Sequence, residues 1–399
     1  MIRILKRLNY KPGNYNLKLL FYVLLINIVG LMIVKSATMN VETDMGLTIY
    51  QKQLIGVIGG FIIMFVVSLI DYHVLIKLGP IWYVFSLGIL FYLKFFYPKD
   101  INGAKRWLVI KPFGTIQPSE FTKIVLILVF AGLMARFQKK ISDIRTLLLI
   151  VLLAAPQLVL IVVEPDLSTT LSCAFIIILM IFVAGISYKW VVGVIASLAP
   201  LGIMFLYMVY QPEQILLKKL LANHQVERIN GFFFPEENAA IIYQQMNSVM
   251  AIASGKLQGK GLYNSSFDSV KNGNFLVEEQ CDFIWAVVGE ELGFVGCCGI
   301  ILLIGLLIFQ CLRIARHAMD MEGRLIAVGV CAIFAFQTFV NIGVATLVLP
   351  NTGIPLPFIS AGMSSLLSSF IGIGLLLNVS LQRGEGDFSR TDGNAGLMR

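Results

Sequence analysis

Ten stretches of this chain are too long and too apolar to fold in water: residues 18–38, 54–70, 78–97, 118–136, 146–164, 168–186, 189–210, 283–311, 324–349 and 363–381. Each has about the length of a bilayer crossing, roughly 17–25 mainly apolar residues. In lipid every backbone N–H and C=O must be paired within its own segment, so such runs become helices. The expected fold is all-α: a polytopic integral membrane protein with about ten transmembrane helices and one large extracellular loop, 211–282. Composition agrees. Of 399 residues, 57% are hydrophobic and 14% charged, against about 45–50% and about 25% in soluble domains.

Lysine and arginine set the orientation. Arg3, Lys6, Arg7, Lys11 and Lys18 precede or open the first run. Arg136, Lys139, Lys140 and Arg145 follow the fourth, Arg313, Arg316 and Arg324 precede the ninth, and Arg383, Arg390 and Arg399 end the chain. With ten alternating spans all of these fall on one side, which the positive-inside preference makes cytoplasmic. The expected organisation is a cytoplasmic arm (1–17), a membrane domain (18–382) and a cytoplasmic tail (383–399) of disordered composition. The arm lacks a small-residue cleavage site and reads as an anchor. Topology accounts for much of the net charge of +8. With no zinc or groove-reading module present, nucleic acid is not an expected partner. Five of six cysteines lie inside apolar runs and imply neither a disulfide framework nor a metal site.

Two outer segments stand out. Residues 98–117 hold Lys99, Lys105, Arg106 and Lys111 on the side where basic residues are disfavoured. They serve either an anionic ligand or outer-leaflet headgroups. Residues 211–282 are too long to be structureless in a compact protein, and 241–254 is expected as a short amphipathic helix at the membrane surface.

Several residues have the chemistry for a site. Asp282 lies where the polar loop enters the eighth run, with Glu290 and Glu291 farther along it. A carboxylate at membrane depth costs about 2.5–3.5 kcal/mol, which makes each a functional candidate. Plainer readings stand beside this: Asp282 as a helix N-cap, Glu290 or Glu291 in an interhelical ion pair. Glu120 and Lys123, three apart, either pair structurally or touch ligand. Glu164 and Asp166 flank Pro165 in a turn. Pro350–Ser365 cannot form a continuous helix, and irregular backbone at membrane depth lines a cavity or is buried in protein. The stretch SGKLQGKGL, 254–262, lacks the spacing of a nucleotide P-loop.

The blocks NGAKRWL, QPSEFTK, EPDLSTT, QQMNSVMAIASGKLQGKGL, CDFIWAVVGEELGFVG and TGIPLPFISAGMSS occur in order over residues 102–365. Together they resemble the SEDS family (shape, elongation, division, sporulation) of RodA and FtsW proteins. NGAKRW and QPSE lean towards the elongation branch, RodA. The resemblance implies a peptidoglycan glycosyltransferase that polymerises lipid II at the outer face of the cytoplasmic membrane, with a class B penicillin-binding protein as transpeptidase partner and membrane lipids around it. It places the family's essential aspartate on Asp282, as general base. Lys105, Arg106 and Lys111 would neutralise the pyrophosphate leaving group. Glu120, Lys123, Gln245, Ser248, Lys260 and Glu290 complete the candidate substrate-binding set. Asp282, Glu278 and Glu279 offer hard oxygens to a divalent cation, magnesium or manganese, although no ligand set is evident. The chain departs from the family at Val277-Glu278, usually a proline-acid pair, and at Ser360–Ser365, usually SYGGSS. A lipid II flippase and a non-catalytic scaffold for the penicillin-binding protein are the alternative functions.

Overall fold

A computed structural model describes residues 10, 12–39, 47–98, 105–110, 114–211, 213–221, 223–264, 269 and 280–382. Lys111, Glu278, Glu279, residues 1–9 of the arm and the tail 383–399 lie outside the described residues.

Helices coincide with all ten apolar runs. They are α1 (Leu17–Ala37), α2 (Ile49–Ser68), α4 (Gly79–Phe95), α5 (Pro118–Arg136), α6 (Ile144–Val163), α7 (Leu167–Val183), α8 (Tyr188–Tyr210), α12 (Ile284–Arg316), α13 (Met321–Ala345) and α14 (Met363–Leu381). A six-residue helix, α3 (Tyr72–Lys77), links α2 to α4. Eight of the ten have the length and apolarity to cross a membrane, and α4 and α7 are shorter apolar helices. At 17 residues each, those two still span about 25 Å, so the chain is an integral membrane protein.

Local chemistry sets the helix starts. Asn16 accepts the Leu19 amide at the head of α1. Thr48 and Gln51 form a reciprocal capping box on α2, and Asp143, Asp166 and Asp320 cap α6, α7 and α13. Proline enters the first turn of α4 and α5, where its missing N–H costs nothing.

Burial sorts the helices. In α14, 89% of the span is buried, in α13 72%, but in α8 only 6%. The inner pair form the core, and α8 presents its apolar side chains outward. Small residues allow the tightest contact, as expected where helices gain by packing and not by leaving water. A β-carbon on Gly60 of α2 would sit 2.0 Å from the Phe370 ring of α14, and one on Gly374 2.8 Å from the Met64 carbonyl.

Two features refine the all-helical expectation. The basic outer loop contains a small antiparallel hairpin, β1 (Leu108–Ile110) with β2 (Gly114–Ile116), in the register Leu108↔Ile116. Among the described residues, the long loop holds three helices: α9 (Ile215–Leu220), α10 (Asn223–Phe233) and α11 (Ala239–Ser254). The last covers the expected 241–254 helix and packs on α12 and α13.

Candidate active site

Asp282 sits one residue before the N-cap of α12. Phe283 occupies the cap position, which has no side-chain cap hydrogen bond. The turn before the helix is pinned to the re-entrant segment between α13 and α14. Ser360 Oγ donates to the Cys281 carbonyl at 2.6 Å, and the Ala361 amide donates to the Gln280 carbonyl at 2.8 Å. Asn341 Nδ2 donates to the backbone carbonyls of both Asp282, 2.9 Å, and Ile354, 2.8 Å. The Asp282 carboxylate then faces Gly353. That glycine has φ +72°, and a β-carbon there would lie 3.2 Å from Asp282 Oδ2. The proline-rich run therefore acts as a buried frame that positions a carboxylate.

Cations complete this end of the bundle. Arg228 of α10 is exposed at the surface and lies in the field of both Asp282 and Arg106. Its Nη1 donates to the Asn351 carbonyl at 3.3 Å. The Arg106 guanidinium stacks 4.5 Å from the Trp107 ring centre, with half-buried Lys105 beside it. Glu164 follows α6 and is almost fully buried. Burial, reinforced by Asp166 and opposed by Lys94 and Arg106, pushes its carboxyl up to about 8. Asp166 is held by Gln117 Nε2 at 2.6 Å and by the Thr169 hydroxyl at 2.8 Å. Ser168 Oγ reaches the Thr352 carbonyl at 2.5 Å. Contacts thus run from Asp282 to residues 351–353 and α7, and Glu164, Arg106, Arg228 and Asp282 are linked round this circuit by charge, each in the electrostatic field of the next. Among the described residues, several buried polar atoms along this circuit have no protein partner: Arg106 Nε, both Glu164 oxygens, Asn351 Oδ1 and Thr352 Oγ1. Buried polar atoms without partners are rare in native proteins, and a cluster of them suits a polar ligand or bound water.

The other candidates are placed elsewhere. Glu120 and Lys123 form an ion pair of 2.8 Å, 5% and 1% exposed, inside the bundle. Gln245 Nε2 donates to the Val344 and Leu349 carbonyls, and Ser248 Oγ to Ala345. Both thereby fasten α11 to the end of α13.

Lys260 and Glu290 form a second ion pair of 2.8 Å within a clasp around a break in α12. At Gly293 the backbone turns to φ 64°, ψ −167°, which prevents the ordinary bonds from Phe294 to Glu290 and from Val295 to Glu291. The loop after α11 replaces them. The Phe294 and Val295 amides donate to the Lys256 and Leu257 carbonyls, while the Glu290 and Glu291 carbonyls accept from the Lys260 and Gly261 amides. The glycines of SGKLQGKGL permit this approach: a β-carbon on Gly255 would lie 1.9 Å from the Gly289 carbonyl oxygen. Glu291 accepts from Ser36 Oγ of α1 at 2.5 Å.

Among the described residues, the one His/Asp/Glu trio close enough to share a metal ion is His73, Asp320 and Glu322, at the opposite end of the bundle. Carboxylates of Asp71 and Asp320 already hold both His73 nitrogens at 2.8 Å.

Residues 17–385 match the family of cell cycle proteins that groups FtsW, RodA and SpoVE. The chain belongs to that family. Its relatives include a probable peptidoglycan glycosyltransferase FtsW from Trichlorobacter lovleyi, 31% identical, with 95% of this chain and 96% of the relative covered. Stage V sporulation protein E of Bacillus subtilis is 32% identical, with 93% and 98% covered. Among solved structures, a chain from a study of structural coordination of polymerization and crosslinking by a peptidoglycan synthase complex superposes with a TM-score of 0.75. It is 26% identical, over 93% of this FtsW/RodA/SpoVE chain and 99% of that one. An aspartate-to-alanine mutant of Thermus thermophilus RodA superposes with a TM-score of 0.66 at 25% identity, covering 93% and 99%.

Sequence reasoning passed over two members of the circuit. Arg228 is a cation in an outer loop, the same signal that singled out Arg106, but acidic neighbours in 211–282 masked it. Glu164 was visible only as half of a turn; its burial is a tertiary property.

Proposed function

We propose that this chain is a peptidoglycan glycosyltransferase that polymerises lipid II at the outer face of the cytoplasmic membrane, with Asp282 as general base. The observation that carries the reading is the backbone of residues 280–282 tied to Asn341, Ser360 and Ala361, which sets the Asp282 carboxylate in the field of Arg228, with Arg106 next along a circuit of unpartnered buried polar atoms. Asp282 takes the proton of the acceptor sugar hydroxyl as its oxygen bonds to the anomeric carbon of the donor. The bond from that carbon to the pyrophosphate oxygen breaks, and the leaving group gains negative charge. Arg106, Arg228 and Lys105 supply the opposing charge, where preorganised cations act most strongly.

Relatives named peptidoglycan glycosyltransferase support the activity. A similar chain in a complex that coordinates polymerization with crosslinking supports a crosslinking partner, a class B penicillin-binding protein. The NGAKRW and QPSE blocks favour a role in elongation: loss of the chain should round the cells, whereas filaments would assign it to division. The deciding assay supplies purified lipid II to the purified chain in vesicles, with and without a single-span transpeptidase. Glycan strands whose yield responds to the partner support this reading. Transbilayer movement of lipid II without polymer would make the chain a flippase, and inertness in every condition would leave a scaffold.

A further inference from the structure

At the end of the bundle opposite Asp282, a cavity of about 300 Å³ opens between the start of α1 and the ends of α12 and α14. Its walls include Asn16, Lys18, Gln310, Arg313, His317 and Ser380, and among the described residues no acidic side chain lines it. Internal bonds hold its shape. Asn16 Oδ1 accepts from the Leu19 amide at 3.1 Å and from Gln310 Nε2 at 2.9 Å, and Ser380 Oγ donates to the Asn14 carbonyl at 2.8 Å. His317 Nδ1 lies 2.8 Å from the Arg313 carbonyl. A carbonyl only accepts, so Nδ1 carries the proton and Nε2 gains one only when the ring becomes cationic. The His317 amide bonds to the Arg313 and Ile314 carbonyls at this end of α12; the ends of α12 and α14 keep a partial negative charge of about −0.5 each, less than the two full positive charges of Lys18 and Arg313. Among the described residues, neither Lys18 nor Arg313 has an acidic partner within ion-pair distance.

The surroundings of the cavity are apolar in one direction. From its mouth, Leu17, Phe21, Leu24 and Ile28 follow one face of α1 at helical spacing, 67%, 58%, 45% and 47% exposed. A cationic cleft continuous with an exposed apolar ridge matches an amphiphile with an anionic head, and basic pockets between transmembrane helices recognise such lipid headgroups. Apolar side chains exposed on a span face the acyl region of the bilayer, so the ridge places the cleft at its end at headgroup depth, where phospholipid is the concentrated phosphate.

We propose that this cavity binds the phosphate headgroup of an anionic phospholipid, with Lys18 and Arg313 on the phosphate and the acyl chains along Leu17, Phe21 and Leu24. The site lies at the end of α12 opposite Asp282 and does not depend on the glycosyltransferase reading.

The test uses the full chain, wild type and Lys18→Gln/Arg313→Gln, released from vesicles of equal phosphatidylglycerol and phosphatidylcholine into native mass spectrometry. Wild type should retain one phosphatidylglycerol that the double variant loses, with affinity falling at least tenfold, and phosphatidylcholine of the same chains should not substitute. Glycerol phosphate without acyl chains should not displace the lipid. Both cations are exposed at the surface, so folding in phosphatidylcholine alone should match wild type, as read by thermal unfolding. If that control fails, Phe21→Ser supplies a second reading by weakening retention through the ridge. Equal retention by the variants overturns the site. Displacement by glycerol phosphate overturns the lipid in favour of a soluble anion.

Discussion

Replacing Gly259 by alanine tests whether the loop after α11 truly clasps the break in α12. Gly259 has φ +79°, and a β-carbon there would meet the Glu291 carbonyl oxygen at 2.2 Å; Gly261 has φ +90° and open space around it. Both substitutions place a β-carbon in left-handed backbone, at about 1–2 kcal/mol. Only Gly259→Ala adds overpacking against a backbone that cannot rotate away, at about 1–3 kcal/mol. Release of the loop would relieve the clash but orphan four backbone groups, the amides of Phe294 and Val295 and the carbonyls of Glu290 and Glu291, each costing about 1–3 kcal/mol. Release therefore costs more than the clash, so the loop should stay bound and strained. Gly259→Ala is expected to lose about 2–5 kcal/mol, and Gly261→Ala about 1–2 kcal/mol. Unfolding free energies from detergent-denaturant titration of the purified variants measure both. Equal losses would refute the clasp, because they would mean that only the backbone conformation matters at either position.

Arg106→Ala should weaken lipid II use far more than folding, and Arg106→Lys should restore only part of it, because an ammonium cannot give two parallel hydrogen bonds to a phosphate; the ratio of kcat/KM to thermal stability checks this. The histidine clamp should respond to pH. Burial lowers the His73 pKa, but hydrogen bonds to Asp71 and Asp320 outweigh it and raise the ring above its ordinary value. Its contribution is complete below the unfolded pKa, about 6.5, and is lost as pH rises through the higher folded value. Thermal unfolding midpoints between pH 6 and pH 9 should therefore fall more steeply for wild type than for His73→Gln, about the unfolded value and above it; parallel curves would show that the clamp does not titrate there.

The spans were legible because the bilayer leaves an apolar run only one conformation. The Glu120–Lys123 pair was legible for a similar reason: three positions apart on one helix, the two side chains are neighbours before any tertiary structure forms. Lys260 and Glu290, 30 positions apart, carry no such local signature. The break at Gly293 was hidden as well, since its backbone groups are satisfied by a loop from another part of the chain. At the candidate site, Asp282 stood out by its position at the loop-helix junction. Its frame did not, because Asn341, Gly353 and Ser360 acquire their roles only when α13 and the re-entrant segment fold over α12. The hairpin at 108–116 was concealed by the brevity of its strands, three residues each.

General-base catalysis here depends on one carboxylate, which Asp282→Asn removes. Asparagine keeps the size, the polarity and the backbone bond from Asn341 but not the basicity. Purified wild type and variant, each with the transpeptidase partner and lipid II in vesicles, should show equal folding and lipid II binding. Polymerisation by the variant should fall by about 10²–10⁴-fold, the usual loss when a general base is removed. Glycan synthesis by Asp282→Asn at the wild-type rate would show that Asp282 is not the base.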